Sequence, residues 1–257
     1  MPRTYCLEVS GDFACFTRPE MKVERVSYDV ITPSAVRAVF ESILWKPAIR
    51  WIPTKIETLN PIRWVSVRRN EVGSKVSAGN VKSAMNKGSG NLGLYIEDDR
   101  QQRAGLFLRD VKYRLHAHFV LNNPPHPVGG RGQGEGGGHR SNYPHLANVV
   151  QDAEDEALYR QPNTPEKFLN MFERRAKKGQ CINQPYLGCR EFACDFKWIE
   201  NPVSEPAMPI GETRELGWML YDMDFSDPAD PMPRFFNARM EKGVVNIPDW
   251  NSKEVRG

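Results

Sequence analysis

The groups in this chain best suited to moving a proton beside a phosphate are five histidines (His116, His118, His126, His139 and His145), Tyr143 and Lys167. RNA can be cut without a metal when a base removes the proton of a ribose 2′-OH. The freed oxygen attacks the neighbouring phosphorus, a cation stabilises the crowded phosphorane, and an acid protonates the departing 5′ oxygen. His139, Arg140, Tyr143 and His145 cluster beside a glycine tract and could close over such a substrate; loops of this composition are also commonly just solvated. Lys167 falls in the first turn of a predicted helix, where unpaired backbone donors already favour an anion. His116 and His118 are two residues apart on a predicted strand, and that pair also reads as an ordinary feature of a sheet surface. His126 has no obvious helpers.

Other chemistries lack their signatures. There is no Gly-x4-Gly-Lys-Ser/Thr phosphate loop, and the Gly-rich run at 129–138 lacks an apolar strand before it and a helix after it in the right place. No Ser/His/Asp grouping stands out. The five cysteines, Cys6, Cys15, Cys181, Cys189 and Cys194, include no Cys-x-x-Cys pair, and His116-x-His118 alone is not a metal site. We expect no metal and no cofactor.

Residues that could hold a nucleic acid concentrate between Gly11 and Trp51. Arg18, Lys22, Arg25, Lys46 and Arg50 are interleaved there with Phe13, Phe16, Tyr28, Trp45 and Trp51. Cations that meet phosphates and flat rings that stack on bases are the two ingredients of single-strand binding. The same mixture also arises where a loop closes over a core. The net charge is only +3, but residues 1–120 hold 19 Lys and Arg against 12 Asp and Glu, while residues 201–257 hold 6 against 10. A basic front and an acidic tail suit a chain that grips a polyanion with one part and faces another partner with the other. A solvated asymmetry without a role is the alternative. Pro2, Arg3 and Glu8 interrupt any leader-like apolar run, and no apolar stretch is long enough to span a bilayer. A cytoplasmic protein with reduced thiols and no membrane partner is expected.

The elements that must position these residues follow from periodicity. Residues 4–9 read as a strand. Thr32 caps a helix over 33–46 that opens on Pro33 and carries Val36, Val39, Phe40, Ile43 and Leu44 on one face. Residues 49–59 read as a strand, with Pro53 marking an edge or a bulge. A basic insertion, 61–110, holds strands at 62–67 and 92–96 around a Ser/Gly/Lys-rich loop at 73–90. Residues 111–121 alternate most clearly: Val111, Tyr113, Leu115, Ala117, Phe119 and Leu121 on one face, Lys112, Arg114, His116, His118 and Val120 on the other. A Gly-rich insertion spans 123–146, and a short helix covers 146–159. Thr164-Pro165 starts a helix that Gly179 stops, and a strand covers 190–199. Strands at 216–225 and 235–245 complete the chain. Without the insertions the order is βαββαβ. The fold class is therefore α+β: a ferredoxin-like, RNA-recognition-motif-like domain over 1–200, then a small antiparallel β-sheet domain over 201–257.

Several runs, in this order, resemble one family. They are GDFACFTRPEMKVERVSYDV at 11–30, WKPAIRW at 45–51, RRNEV at 68–72, RQQRA at 100–104, AHF at 117–119, GCREF at 188–192 and LGWMLYDMDF at 216–225. The chain is similar to type I-C CRISPR-associated proteins of family five, d variant, in the repeat-associated RNA-binding superfamily. The resemblance implies an endoribonuclease that recognises the hairpin of CRISPR repeat RNA and cuts at its 3′ base without metal. It would keep the 5′ handle of the mature guide RNA and sit beside the large and backbone subunits of the surveillance complex. Affinity for double-stranded DNA is a further expectation. With the charge pattern, the matching motifs point to Arg18, Lys22, Arg25, Tyr28, Trp45, Lys46, Arg50, Arg68, Arg69, Arg100 and Arg103 as RNA contacts. The family's catalytic trio is similar to tyrosine, lysine and histidine. Here its positions read Leu44, Lys167 and Phe168, so only Lys167 matches. Catalysis then falls to Lys167 with His139, Tyr143 and His145, or the chain is a non-catalytic cap on the handle.

Overall fold

The alternation in residues 111–121 becomes the centre of the molecule. In the structure, a computed structural model that describes residues 3–121, 164–227 and 229–257, these residues form half of a longer strand, β4 (Arg100–Leu121). β1 (Tyr5–Ala14) and β2 (Ile49–Thr58) flank that half antiparallel, so Leu7, Leu115 and Ile56 lie abreast, each fully buried. β3 (Arg63–Val72) pairs with the other half, from Arg63↔Arg109 to Val72↔Arg100. The hand-over falls at Asp110, whose φ of 52° is left-handed, and Asn60 Nδ2 donates to its carbonyl at 2.8 Å. β5 (Asp195–Ile199) pairs with β1. β6 (Arg214–Asp224), β7 (Met232–Met240) and β9 (Val255–Arg256) form a second, three-stranded sheet. Between them in sequence, β8 (Val244–Asn246) crosses to the first sheet and pairs with the outer edge of β2. The strand order of the first sheet is β5-β1-β4-β2-β8, with every pairing antiparallel.

Two helices cover one face of that sheet. α1 (Pro33–Ile43) begins where Thr32 accepts a hydrogen bond from the Ala35 amide at 3.4 Å; a second, α2, lies in the basic insertion (Ala78–Lys87). α3 (Pro165–Lys177) repeats the α1 device with Thr164 and the Lys167 amide at 3.2 Å. α1 stops at Ile43, short of 46, because the residue before Pro47 is disfavoured in a helix; Leu44 is already extended. Val36, Val39, Phe40 and Ile43 from α1 meet Phe168, Met171 and Phe172 from α3 over the sheet. Trp51 lies at the centre, with ring centroids 4.9 Å from Phe40 and 4.7 Å from Phe172. Pro53 sits at a bulge, where the register against β4 slips before Lys55.

Three expectations need correction. Residues 73–90 contain α2, whose side chains are all exposed or half-exposed; with no buried stripe, its composition resembles a loop. Residues 92–96 form no strand and pair with none among the described residues, and the basic strand that closes the insertion runs from Arg100. The cationic face of β4 is not open, because Arg114 donates to Glu8 at 3.1 Å and to the backbone carbonyl of Glu205, and both Arg114 and His116 are buried. The five cysteines are free thiols. No helix among the described residues is long and apolar enough to cross a membrane.

Beneath that cover, His116 Nε2 lies 3.4 Å from Glu57 and Lys55 Nζ lies 2.6 Å from it. The His116 contact foremost, against the opposing effect of burial, with Lys55 adding to it, holds the Glu57 carboxyl at about 2, down from its ordinary 4.5. A depressed carboxyl contributes stability above its unfolded pKa and loses it as the pH falls towards the folded one. Glu57→Gln is therefore expected to destabilise the fold by about 2 kcal/mol at pH 7. The gap in urea midpoints between variant and parent should narrow steadily from pH 5 to pH 3.

Candidate nucleic-acid interface

Three of the expected RNA contacts are drawn together by two carboxylates. Arg69 and Arg103 face each other across β3 and β4, and Glu71 lies between them, 3.0 Å from Arg69 and 3.6 Å from Arg103. Glu191 stands 2.6 Å from Arg69 and 3.6 Å from Arg25. The result is one continuous chain of charge, Arg25–Glu191–Arg69–Glu71–Arg103, with one positive charge in excess. Arg25 reaches it because its loop docks on β4. The Leu106 amide donates to the Arg25 carbonyl at 2.8 Å, and the Ser27 amide to the Leu106 carbonyl at 3.0 Å. The Arg69 guanidinium lies 5.1 Å from the Phe107 ring, which packs on Phe192 at 5.4 Å; Phe192 in turn packs on Phe13, which is 41% exposed. Cations and an open ring thus share one surface. Arg68 and Arg100, an odd number of residues from Arg69 and Arg103, project from the opposite face of the same ribbon.

A thiol sits inside this cluster. Arg25 Nη1 is 3.5 Å from Cys189 Sγ, and Cys189 is packed against Cys15. The Cys15 contact first, then Arg25, draw the Cys189 thiol below its usual range, while the same contact and burial push Cys15 up. Burial opposes the charge on Glu191, but its own backbone amide, Arg69 and Arg25 outweigh that and lower its pKa.

Arg18 and Tyr28 are placed differently. Tyr28 is buried and its hydroxyl accepts from the Leu220 amide at 3.2 Å. Arg18 lies 4.5 Å from the Tyr28 ring and bonds Asp29 at 3.3 Å, a carboxylate shared with Arg214 of β6 at 2.9 Å. These residues fasten the loop to the second sheet. Lys22 is exposed just beyond a short 3-10 turn, Pro19–Met21.

Trp45, Lys46 and Arg50 lie at the other end of β4, where Ile49 pairs with Leu121. Up to ~60 Å of extended strand, at about 3.3 Å per residue, separates them from Arg103. Trp51 turns into the core, but Trp45 is 55% exposed. With Lys46 and Arg50 it lines a cavity of about 840 Å³, and the far wall comes from the end of β6, Arg234 and Trp250. The contribution of that second wall is not expected from sequence; its trace there is the LGWMLYDMDF run.

Lys167 lies in the first turn of α3 and is buried. Leu44 and Phe168 are core residues. The Leu44 carbonyl accepts from Trp51 Nε1 at 2.9 Å, and Phe168 meets Phe119 edge-on. Arg175 Nη1 ties the helices together through the Ile43 carbonyl at 3.1 Å. His126, His139, Tyr143 and His145 lie outside the described residues.

A family model for Cas5d, described as CRISPR-associated protein (Cas_Cas5), matches residues 4–123 and 131–248. A protein of Mannheimia succiniciproducens named CRISPR pre-crRNA endoribonuclease Cas5d is 44% identical over 254 residues, covering 97% of each chain. A protein of the same name from Thermus thermophilus is 33% identical over 266 residues, 97% of this chain and 93% of its own. A solved structure titled as the crystal structure of a CRISPR-associated protein superposes with a TM-score of 0.60 at 22% identity, over 100% of this chain and 97% of that one.

Proposed function

The chain belongs to the Cas5d family of CRISPR-associated proteins, and from that premise we propose that it is an endoribonuclease that cuts CRISPR precursor RNA and retains the 5′ handle. What carries the reading on the structural side is the continuous run Arg25–Glu191–Arg69–Glu71–Arg103 beside an open Phe13. It offers phosphate contacts on a rigid ribbon, joined to a ring on which a base can stack. Arg68 and Arg100 extend the same ribbon on its reverse face, and Lys22 adds an exposed cation on the loop that carries Arg25.

The strand order β5-β1-β4-β2, with α1 and α3 on one face, supports a ferredoxin-like arrangement for residues 1–200. The three-stranded sheet supports a separate unit over 201–257, one that lends β8 to its neighbour. The partners of this reading are repeat RNA, mature guide RNA, and the large and backbone subunits of a type I-C surveillance complex.

Cleavage proceeds without metal. Lys167 stabilises the phosphorane, and His139, Tyr143 and His145 supply base and acid, leaving a 2′,3′-cyclic phosphate and a 5′-OH. Leu44 and Phe168 cannot transfer protons, and both are packed into the core, which favours a second reading: a handle-binding cap that does not cut. Purified protein incubated with its cognate repeat hairpin in EDTA separates the two. The expected result is a single cut with a 5′-OH on the downstream fragment. A hairpin that stays intact while bound leaves the cap.

A further inference from the structure

We propose that the groove between α1–β2 and the second sheet receives one unstacked nucleotide of the bound RNA. Its base would lie between Trp45 and Phe225, and its phosphate would meet Arg50. This rests on the RNA-binding reading above and adds the second sheet to it. The cavity of about 840 Å³ is within the range of small-ligand sites, and two large rings open onto it from different walls. Trp45 is 55% exposed and Phe225 61% exposed. Rings left in water on the lining of one cavity suit a flat, π-bearing occupant, and every base has such a face.

The charges of the groove favour a nucleotide. Arg37 is shared by Asp222, at 2.5 Å, and Glu41, at 2.6 Å, so it is already committed and offsets part of their charge. Arg50 makes no ion pair among the described residues and is exposed. Arg234 lies 4.7 Å from the Trp250 ring, with Asp224 at 3.7 Å, and its buried Nε has no hydrogen-bond partner among the described residues. Lys46 lines the same rim. Arg50 is thus a cation on the groove's wall that is open to a phosphate.

Phe225 is exposed and outside the core, so its replacement tests the pocket without threatening the fold. Affinity for the cognate repeat RNA would be measured for the parent, Phe225→Ala and Phe225→Tyr. Each protein would also be tested against RNAs carrying one abasic site stepped through the handle. Loss of one stacking contact should weaken binding ~5- to 100-fold in Phe225→Ala, while Phe225→Tyr stays within about twofold. One abasic position should weaken the parent by the same factor and leave Phe225→Ala unaffected. Parent-like binding by Phe225→Ala, or losses that simply add at every position, overturns the pocket and leaves RNA binding standing; the cavity then suits a side chain of a partner protein. A parent protein that does not hold the RNA at all removes both.

Discussion

Replacing Lys167 by methionine is expected to slow cutting of the repeat hairpin by about 100-fold or more while leaving affinity within about threefold. The argument starts from helix geometry. Thr164 caps α3 by accepting from the Lys167 amide, so the first turn is well formed and its remaining amides present partial positive charge outward. A lysine in that turn adds a full charge where an anion is already favoured. Its side chain is only 6% exposed, so its ammonium acts in a region poor in water, where a charge counts for more. Methionine keeps the packing of the stem and removes the charge, which makes it the cleaner variant; alanine also opens a cavity. Single-turnover cutting and equilibrium binding, measured on the same preparations, give the two numbers. Equal losses in both would make Lys167 a grip on phosphate with no part in the chemistry.

Gly188→Ala should be among the most damaging single substitutions outside the core, at about 4 kcal/mol or more. Gly188 has a φ of 85°, and a Cβ there would collide with the Cys15 carbonyl oxygen and lie 3.1 Å from the Phe16 amide nitrogen. Neither neighbour can move cheaply. The Cys15 amide donates to the Leu187 carbonyl at 3.0 Å, and Cys15 follows directly on β1. Gly179 provides the control. Its φ of 66° carries the same left-handed strain with open space around the missing Cβ, so Gly179→Ala should cost only about 1 kcal/mol. If both variants lose the same small amount in a urea titration, the close approach at Gly188 is not a constraint. Displacing the loop also displaces Glu191, so the Gly188 variant should lose RNA affinity at pH and salt where it remains folded.

The sequence was most informative where local chemistry and burial agree. Thr32-Pro33 and Thr164-Pro165 mark two helix starts, and the alternation from Val111 marks the central strand. It was least informative where the deciding contact is distant. Whether Arg114 and His116 face water depends on the segment at Glu205, which nothing near them encodes. α2 has helix-forming residues and no apolar stripe, so periodicity is silent there. Ring type does not separate platform from core: Trp45 is open and Trp51 is buried, six residues apart on one motif. The interface shows the same limit. Glu71 is close to Arg69 in sequence, but Glu191, which joins Arg25 to Arg69, is brought in only by the fold. Arg18 and Tyr28 carry the right side chains and serve to anchor their loop.

β8 has a consequence for how the protein is made. On the ribosome, the outer flank of β2 has no strand partner among the described residues until Val244–Asn246 emerge, nearly 190 residues later. A nascent polypeptide with a bare strand flank is open to pairing with another copy of itself.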